Sequence, residues 1–190
     1  MADRDYSSQT FEKLVAPCER QVYFTCLGMM GNAQDAQDCA QETMLKAFLG
    51  FAGFKGEAKV STWLYSIATR CCTDALRRRH ETISLEQLQE DGFDPPGDAP
   101  SPYLQLEAGE RKRLLREALQ QLPCEHRQPI VLCDLQGLSY EEAAQALDLP
   151  LGTVKSRLNR ARASLKNTLS KNAELFSLKT RPTDERREDK

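Results

Sequence analysis

From Glu81 to Glu110 the chain contains neither lysine nor arginine. It carries Glu81, Glu86, Glu90, Asp91, Asp94, Asp98, Glu107 and Glu110, and is broken by Gly92, Pro95, Pro96, Gly97, Pro100 and Pro102. No continuous helix crosses most of such a stretch, because proline lacks the N–H that an interior helical turn needs. On composition it reads as an acidic, flexible linker, and a plain solvated tether is the commonest form of that. It divides the 190 residues into two small blocks. The spacing of apolar residues on both sides is helical, so the expected fold class is all-α: two small helical domains at 1–80 and 107–170, an acidic linker at 81–106, and a charged, disordered tail at 171–190.

The first block reads as three helical stretches. The first carries Phe11, Leu14, Val15, Cys18, Val22, Cys26 and Leu27, with Pro17 marking a kink or a new start. A second, from Asp35 to Phe48, packs through Ala40, Met44, Ala47 and Phe48. Its other face presents Asp38, Gln41, Glu42 and Leu45 at spacings of three and four. Helical spacing alone fits an interaction surface and a wet face equally. After Gly53 and Gly56, Ser61 or Thr62 caps a third helix holding Trp63, Leu64, Ile67, Ala68, Cys71, Ala75 and Leu76, which ends in Arg77-Arg78-Arg79-His80. Cations at a helix C-terminus favour its dipole. Together with Lys55, Lys59 and Arg70, beside Phe54, Trp63 and Tyr65, they also form a basic, aromatic mixture suited to single-stranded or melting DNA.

The second block opens with a helix from Glu107 to Leu122 closed by Pro123, followed by one around Arg127 to Leu135 ending near Gly137. Ser139 and Glu142 then form a capping box for a short helix carrying Ala143, Ala144 and Leu147. Asp148-Leu149-Pro150 breaks it, and a new helix begins around Pro150 and Leu151. In this second helix Val154, Leu158, Ala161 and Leu165 make the inward stripe, leaving Thr153, Lys155, Ser156, Arg157, Asn159, Arg160 and Arg162 outside. No acidic residue occurs from Leu149 to Asn172. A capped helix, a turn and a helix with a basic outer face together read as a DNA-binding helix-turn-helix, although the whole chain has a net charge of −2.

Composition, 40% hydrophobic and 28% charged, is that of a water-soluble globular protein. With no apolar stretch of membrane-spanning length and no basic, apolar leader at the N-terminus, the chain is expected in the cytoplasm without membrane insertion. Seven cysteines contain no C-x-x-C pair and read as free thiols, most of them small core residues. Cys71-Cys72 invites a redox role through adjacency alone. With only His80 and His126 there is no recognisable zinc spacing, and neither metal nor cofactor is expected.

Three stretches in order resemble the bacterial extracytoplasmic function (ECF) sigma factors, the promoter-specificity subunits of RNA polymerase within the sigma-70 family. Asp35 to Phe48 is similar to the family's polymerase-binding helix. Phe54-Lys55-Gly56-Glu57-Ala58, Thr62 to Ala68 and Asp74 to Arg78 are similar to its promoter-melting segment. Leu138 to Arg162, above all Gly152-Thr153-Val154-Lys155-Ser156-Arg157-Leu158, is similar to its upstream-element reader. The resemblance spans Phe11 to Leu169. It implies that Asp35, Asp38, Gln41, Glu42 and Leu45 contact the clamp helices of the polymerase largest subunit, with the flap region a further contact. It implies that Lys55, Gly56, Lys59, Ser61, Trp63, Tyr65, Arg70, Arg77 and Arg78 serve minus-10 recognition and melting, around a flipped base. Members often carry asparagine where this chain has Arg70, a departure that bears on base preference. The resemblance further implies that Gly152, Thr153, Lys155, Ser156, Arg157, Asn159, Arg160 and Arg162 read the minus-35 element as duplex. The partners are then core RNA polymerase, promoter DNA and an anti-sigma factor, with no catalysis by the chain itself.

Two rivals remain at this level. A LuxR-type response regulator also ends in a helix containing Thr-Val-Lys, but needs an upstream receiver domain of alternating strands and helices. An enzyme reading would rest on Cys124 and His126, or on Asp35 and Asp38 around magnesium, and neither pair forms a visible constellation with a third group.

Overall fold

The structure, a computed structural model, describes residues 8–82 and 102–170. Most of the expected linker and all of the charged tail lie outside the described residues. Every regular element among the described residues is a helix.

Helices α1 (Ser8–Val15), α2 (Glu19–Met30), α3 (Ala33–Gly50) and α4 (Val60–Thr82) form the first unit, with Pro17 inside a 3₁₀ turn (Ala16–Cys18) that separates α1 from α2. Asn32 caps α3: its Oδ1 accepts the Asp35 N–H at 2.8 Å and its amide donates to the Asp35 carboxylate at 2.7 Å. Small residues dominate the shared interior, where Ala36, Cys39, Ala40 and Ala47 of α3 meet Val22, Cys26 and Met29 of α2 and Leu64, Ala68 and Cys72 of α4. Such residues let three helices pack closely, since side-chain bulk sets interaxial distance. The hydroxyls of Thr25 and Thr43 bond back to the carbonyls four residues earlier, so their burial leaves no donor unmade. Cys72 hydrogen-bonds with Cys26 and Cys39, and these contacts, with burial, push its thiol far above the ordinary range. The expected role of the cysteines as core residues accords with the burial of Cys26, Cys39, Cys71 and Cys72.

Three starts differ from the sequence expectation. Neither Ser61 nor Thr62 caps α4: the helix begins at Val60, the Trp63 N–H donates to the Lys59 carbonyl at 3.0 Å, and Thr62 is buried in the first turn. Helix α5 (Pro102–Gln120) starts five residues before Glu107, at a proline, which loses no bond in a first turn. Pro123 opens α6 (Cys124–Ile130) as well as following α5, because its carbonyl accepts from His126 and Arg127 at 2.9 and 3.0 Å. Pro129, inside α6, has no N–H to give, and the chain widens directly after it into a π turn at Val131–Leu135.

Helices α7 (Tyr140–Leu147) and α8 (Leu151–Ser170) follow, and the Ser139–Glu142 capping box is present in both directions. Ala143 and Ala146 are the fully buried residues of α7, while Ala144 and Leu147 are half-buried beside them. Asp148 ends α7 in the left-handed region at φ 54°, which turns the chain into Leu149-Pro150. On α8 the inward stripe is the one the periodicity predicts, with Val154, Leu158, Ala161 and Leu165 buried.

The two units meet at a buried guanidinium. Arg127, 6% exposed, donates to the Met29 carbonyl near the end of α2, to the side chain and carbonyl of Gln120, and to the Leu122 carbonyl beyond α5. Carbonyls at helix C-termini lack intrahelical donors and carry the negative end of the dipole, so one cation here satisfies two helix ends. Gly31 closes α2 at φ 83°, and a Cβ there would lie 2.6 Å from the Gln120 side chain. Gly28 has Val131 within 3.0 Å of the place a Cβ would occupy. Glycine at both positions permits this approach.

Replacing Arg127 with Met strands buried carbonyls that cost about 1–3 kcal/mol each. Urea denaturation is expected to show a loss of about 3 kcal/mol or more, with the single transition splitting into two. Ser139→Ala, which removes one half of the capping box, is expected to lower stability by about 1 kcal/mol in the same assay.

Candidate nucleic-acid interface

On α8 the outward residues separate into two sets. Gly152, Lys155, Ser156, Asn159 and Arg160 are exposed, while Thr153 is half-buried and its carbonyl accepts the Ser156 hydroxyl at 3.0 Å. Arg157 and Arg162 instead point to acids of α6 and its π turn: Arg157 pairs with Glu125 at 3.3 Å, and Arg162 holds Asp134 bidentately at 2.6 and 2.9 Å and donates to the Tyr140 hydroxyl at 3.2 Å. The Asp134 and Tyr140 contacts raise the Arg162 pKa further. These two arginines, grouped from sequence with the DNA-facing residues, are therefore engaged within the unit. Bidentate arginine–carboxylate geometry orients a side chain as well as neutralising it.

The second basic region surrounds a cavity of about 260 Å³ lined by Phe54, Lys55, Gly56, Thr62, Trp63 and Ser66, among others. Phe54 and Trp63 form its aromatic wall, with ring centroids 4.8 Å apart. Gly56 turns the loop at φ 73°, a conformation that a side chain would strain. Lys55, Lys59 and Arg70 are exposed, and Ser61 and Trp63 are half-buried. Tyr65 departs from its expected place: it is 2% exposed, its hydroxyl donates to Gln21 at 3.2 Å, and it packs with Leu132, Ala143, Ala146 and Val154. Burial pushes its phenol up. Sequence periodicity placed Tyr65 beside the loop but gave no sign of a covering helix.

At the other end of α4, Arg77 and Arg78 are exposed, and the helix lies against the acidic start of α3. Arg79 meets Asp35 at 3.0 Å, and Arg78 approaches Glu42 at 3.8 Å. Glu42 also takes Lys46 at 2.8 Å, and Asp38 accepts from Gln34 at 3.4 Å. Gln41 and Asp38 are exposed, and Leu45 is 59% exposed. Phe48 does not pack inward as expected. It is exposed beside Leu49, which is 72% exposed, and its ring lies edge-to-face with Phe11, centroids 5.3 Å apart. Thr43 takes the inward position instead, so Leu45, Phe48 and Leu49 form a second apolar stripe opposite the buried one. Sequence spacing places Leu45 on that face, but assigns Phe48 inward and does not single out Leu49. Nothing in the spacing singles out Arg127.

No helix among the described residues is long and apolar enough to cross a membrane, and none of their acidic, histidine and cysteine side chains cluster as a metal site. The LuxR-type alternative is not favoured, since the block before the linker is built of helices.

Comparison with known proteins agrees in both halves. The sigma-70 region 2 family model matches residues 14–82, and the sigma-70 region 4 model matches residues 112–165. The ECF RNA polymerase sigma factor SigE of Mycolicibacterium smegmatis is 35% identical over 164 residues, covering 86% of this chain and 63% of its own length. SigW of Bacillus subtilis, also an ECF RNA polymerase sigma factor, is 31% identical over 172 residues, covering 84% of this chain and 88% of its own. Among solved structures the fold is similar to that of the sigma factor RpoE in complex with the anti-sigma factor NepR from Bartonella quintana. There the TM-score is 0.68 at 24% identity, over 85% of this chain and 98% of that one. Two sigma-70 regions in order, with relatives matched along most of their length, place this chain in the family of ECF RNA polymerase sigma factors, which direct the polymerase to promoters.

Proposed function

We propose that the chain divides promoter recognition between its two units. The 107–170 unit reads the minus-35 duplex through α8, with Lys155, Ser156 and Asn159 toward base edges, Arg160 toward phosphate, and Gly152 and Thr153 at the helix start. Arg157 and Arg162 act mainly by holding α8 on α6 and the π turn. The 1–80 unit captures an unstacked minus-10 base against Phe54 and Trp63, with Lys55, Lys59 and Arg70 on the strand and Arg77 and Arg78 beyond it. Ser61 and Gly56 shape that loop. Unstacking costs a few kcal/mol, which an aromatic wall recovers by stacking.

The observation that carries this reading is the acid-free outward face of α8, exposed at Lys155, Ser156, Asn159 and Arg160 by a fully buried inward stripe. In helix-turn-helix docking that face enters the major groove. The chain catalyses no step itself and acts in the cytoplasm. Core polymerase docks on the α3 face through Asp38, Gln41, Leu45 and Leu49, with Asp35 and Glu42 at its margin, and the flap region contacts the second unit. An anti-sigma factor restrains it, as the name of the solved neighbour's partner suggests. Neither unit need bind DNA tightly, because docking on one polymerase raises the effective concentration of the second contact.

The deciding experiment mixes the purified chain with bacterial core polymerase and sequences transcripts from fragmented genomic DNA. Initiation at a shared two-part motif is expected, and a folded chain that neither co-elutes nor directs initiation would overturn the reading. Lys155→Ala and Arg160→Ala are each expected to weaken promoter binding. A phosphate contact would also lower the salt slope by about one, in filter binding across a salt series. Leu45→Asp should abolish co-elution with polymerase while changing thermal stability by no more than about 0.5 kcal/mol, as an exposed position allows.

A further inference from the structure

The cysteines of the chain stand in unlike surroundings. Cys26, Cys39, Cys71 and Cys72 are buried, which leaves Cys18, Cys124 and Cys133 half-buried. Burial raises the Cys18 thiol, and burial together with the neighbouring Asp134 pushes that of Cys133 up to about 11. Cys124 instead lines a cavity of about 460 Å³, shared with Thr73, Leu76 and Arg77 of α4, Gln120 of α5 and Arg127 of its own helix. Among the described residues none that lines this cavity is acidic, and two are arginines.

Arg77 is exposed, whereas Arg127 is 6% exposed and its Nε has no partner among the described residues. The cationic wall therefore holds a buried donor that the protein itself does not use. The sulfur is fixed in place as well. Thr73 gives its one hydroxyl proton to the Thr69 carbonyl at 2.6 Å and accepts from the Gln128 amide at 3.0 Å, so in its 3.8 Å contact with Cys124 the thiol is the donor. A cavity of this size has room for a small ligand, since ligand sites run from about 300 Å³ upward. Its charge selects an anionic one, because a cleft lined by one sign of charge concentrates the opposite sign.

We propose that Cys124 is a site of reversible mixed-disulfide formation with a small, carboxylate-bearing disulfide of the glutathione class, its carboxylates drawn to Arg77 and Arg127. The Cys124 sulfur, as thiolate, attacks one sulfur of the small disulfide. The S–S bond of that molecule breaks, a new one joins Cys124 to one half of it, and the other half leaves as a thiolate that takes up the proton Cys124 gave up. No further oxidant is required, and an excess of the small thiol reverses the exchange. The chain thereby reads the state of the small-thiol pool around it.

The test incubates the reduced full chain with glutathione disulfide, quenches samples over time with N-ethylmaleimide and locates the added group by peptide mass spectrometry. Each rate is divided by that of the same cysteine in the urea-unfolded chain, which removes the intrinsic reactivity of the reagent and of the local sequence. On this scale Cys124 is expected to react about tenfold faster than Cys18 or Cys133, and about tenfold faster with anionic glutathione disulfide than with cystamine, a cationic disulfide. Raising the salt concentration should shrink the second ratio. Arg77→Gln, at an exposed position, is expected to slow the reaction with glutathione disulfide about threefold. Dithiothreitol should release the group. Equal scaled rates at the three cysteines would overturn the proposal, as would cystamine matching glutathione disulfide at Cys124. A folded Arg77→Gln chain that reacts with glutathione disulfide as fast as the wild type would overturn it too.

Discussion

Burying the Arg127 guanidinium is the commitment on which the arrangement of the helices depends. A cation in a dry site is tolerated only when its donors are met, and here the acceptors are carbonyls at the ends of α2 and α5 with few other partners. Burial lowers the Arg127 pKa, but an arginine so lowered remains charged, so the tie holds at any ordinary pH. Its Nε is the one buried side-chain nitrogen among the described residues without a partner, a cost carried by the bonds of the two terminal nitrogens. Gln120 shares in the tie from the other side, donating to the Gly28 carbonyl at 3.3 Å.

Polar ties of this kind differ from a continuous apolar core. Two of the three buried clusters contain residues from both units: Val131 joins the first, and Tyr65 joins the one beneath α7. The seam is therefore part apolar and part hydrogen-bonded. A seam with exposed ion pairs at its rim, such as Lys59 with Glu142, responds to salt and to competing polyanions more readily than a dry core does.

Much of this was legible in the chain itself. The acid-free helix, its inward stripe and the Ser139 capping box follow from residue spacing, because a helix of that length buries one face whatever its neighbours are. Apolar periodicity likewise located α2 to α4. Three features were hidden for identifiable reasons. The covering of Tyr65 depends on residues about eighty positions away in sequence, which no local window sees. Arg157 and Arg162 look like DNA-facing residues until Glu125 of α6 and Asp134 of the turn after Pro129 stand beside them. The outward stripe of Leu45, Phe48 and Leu49 was misread because one α-helix carried two apolar faces, and small residues, rather than the large Phe48, took the inner one.

The thiol-lined interior of the first unit gives it a built-in clock. Where most small domains would place leucine or valine at a three-helix junction, this one sets Cys26, Cys39 and Cys72, all shut away from water, with the Cys72 thiol pushed far above the ordinary range by its contacts with the other two and by burial. A thiol with no access to solvent is inert to alkylating agents, since the reagent must reach the sulfur as a thiolate. Each such residue can be labelled only in the moments when the helices part. The rate at which a gentle reagent is taken up at these positions therefore records how often the unit breathes, without any probe having to be introduced.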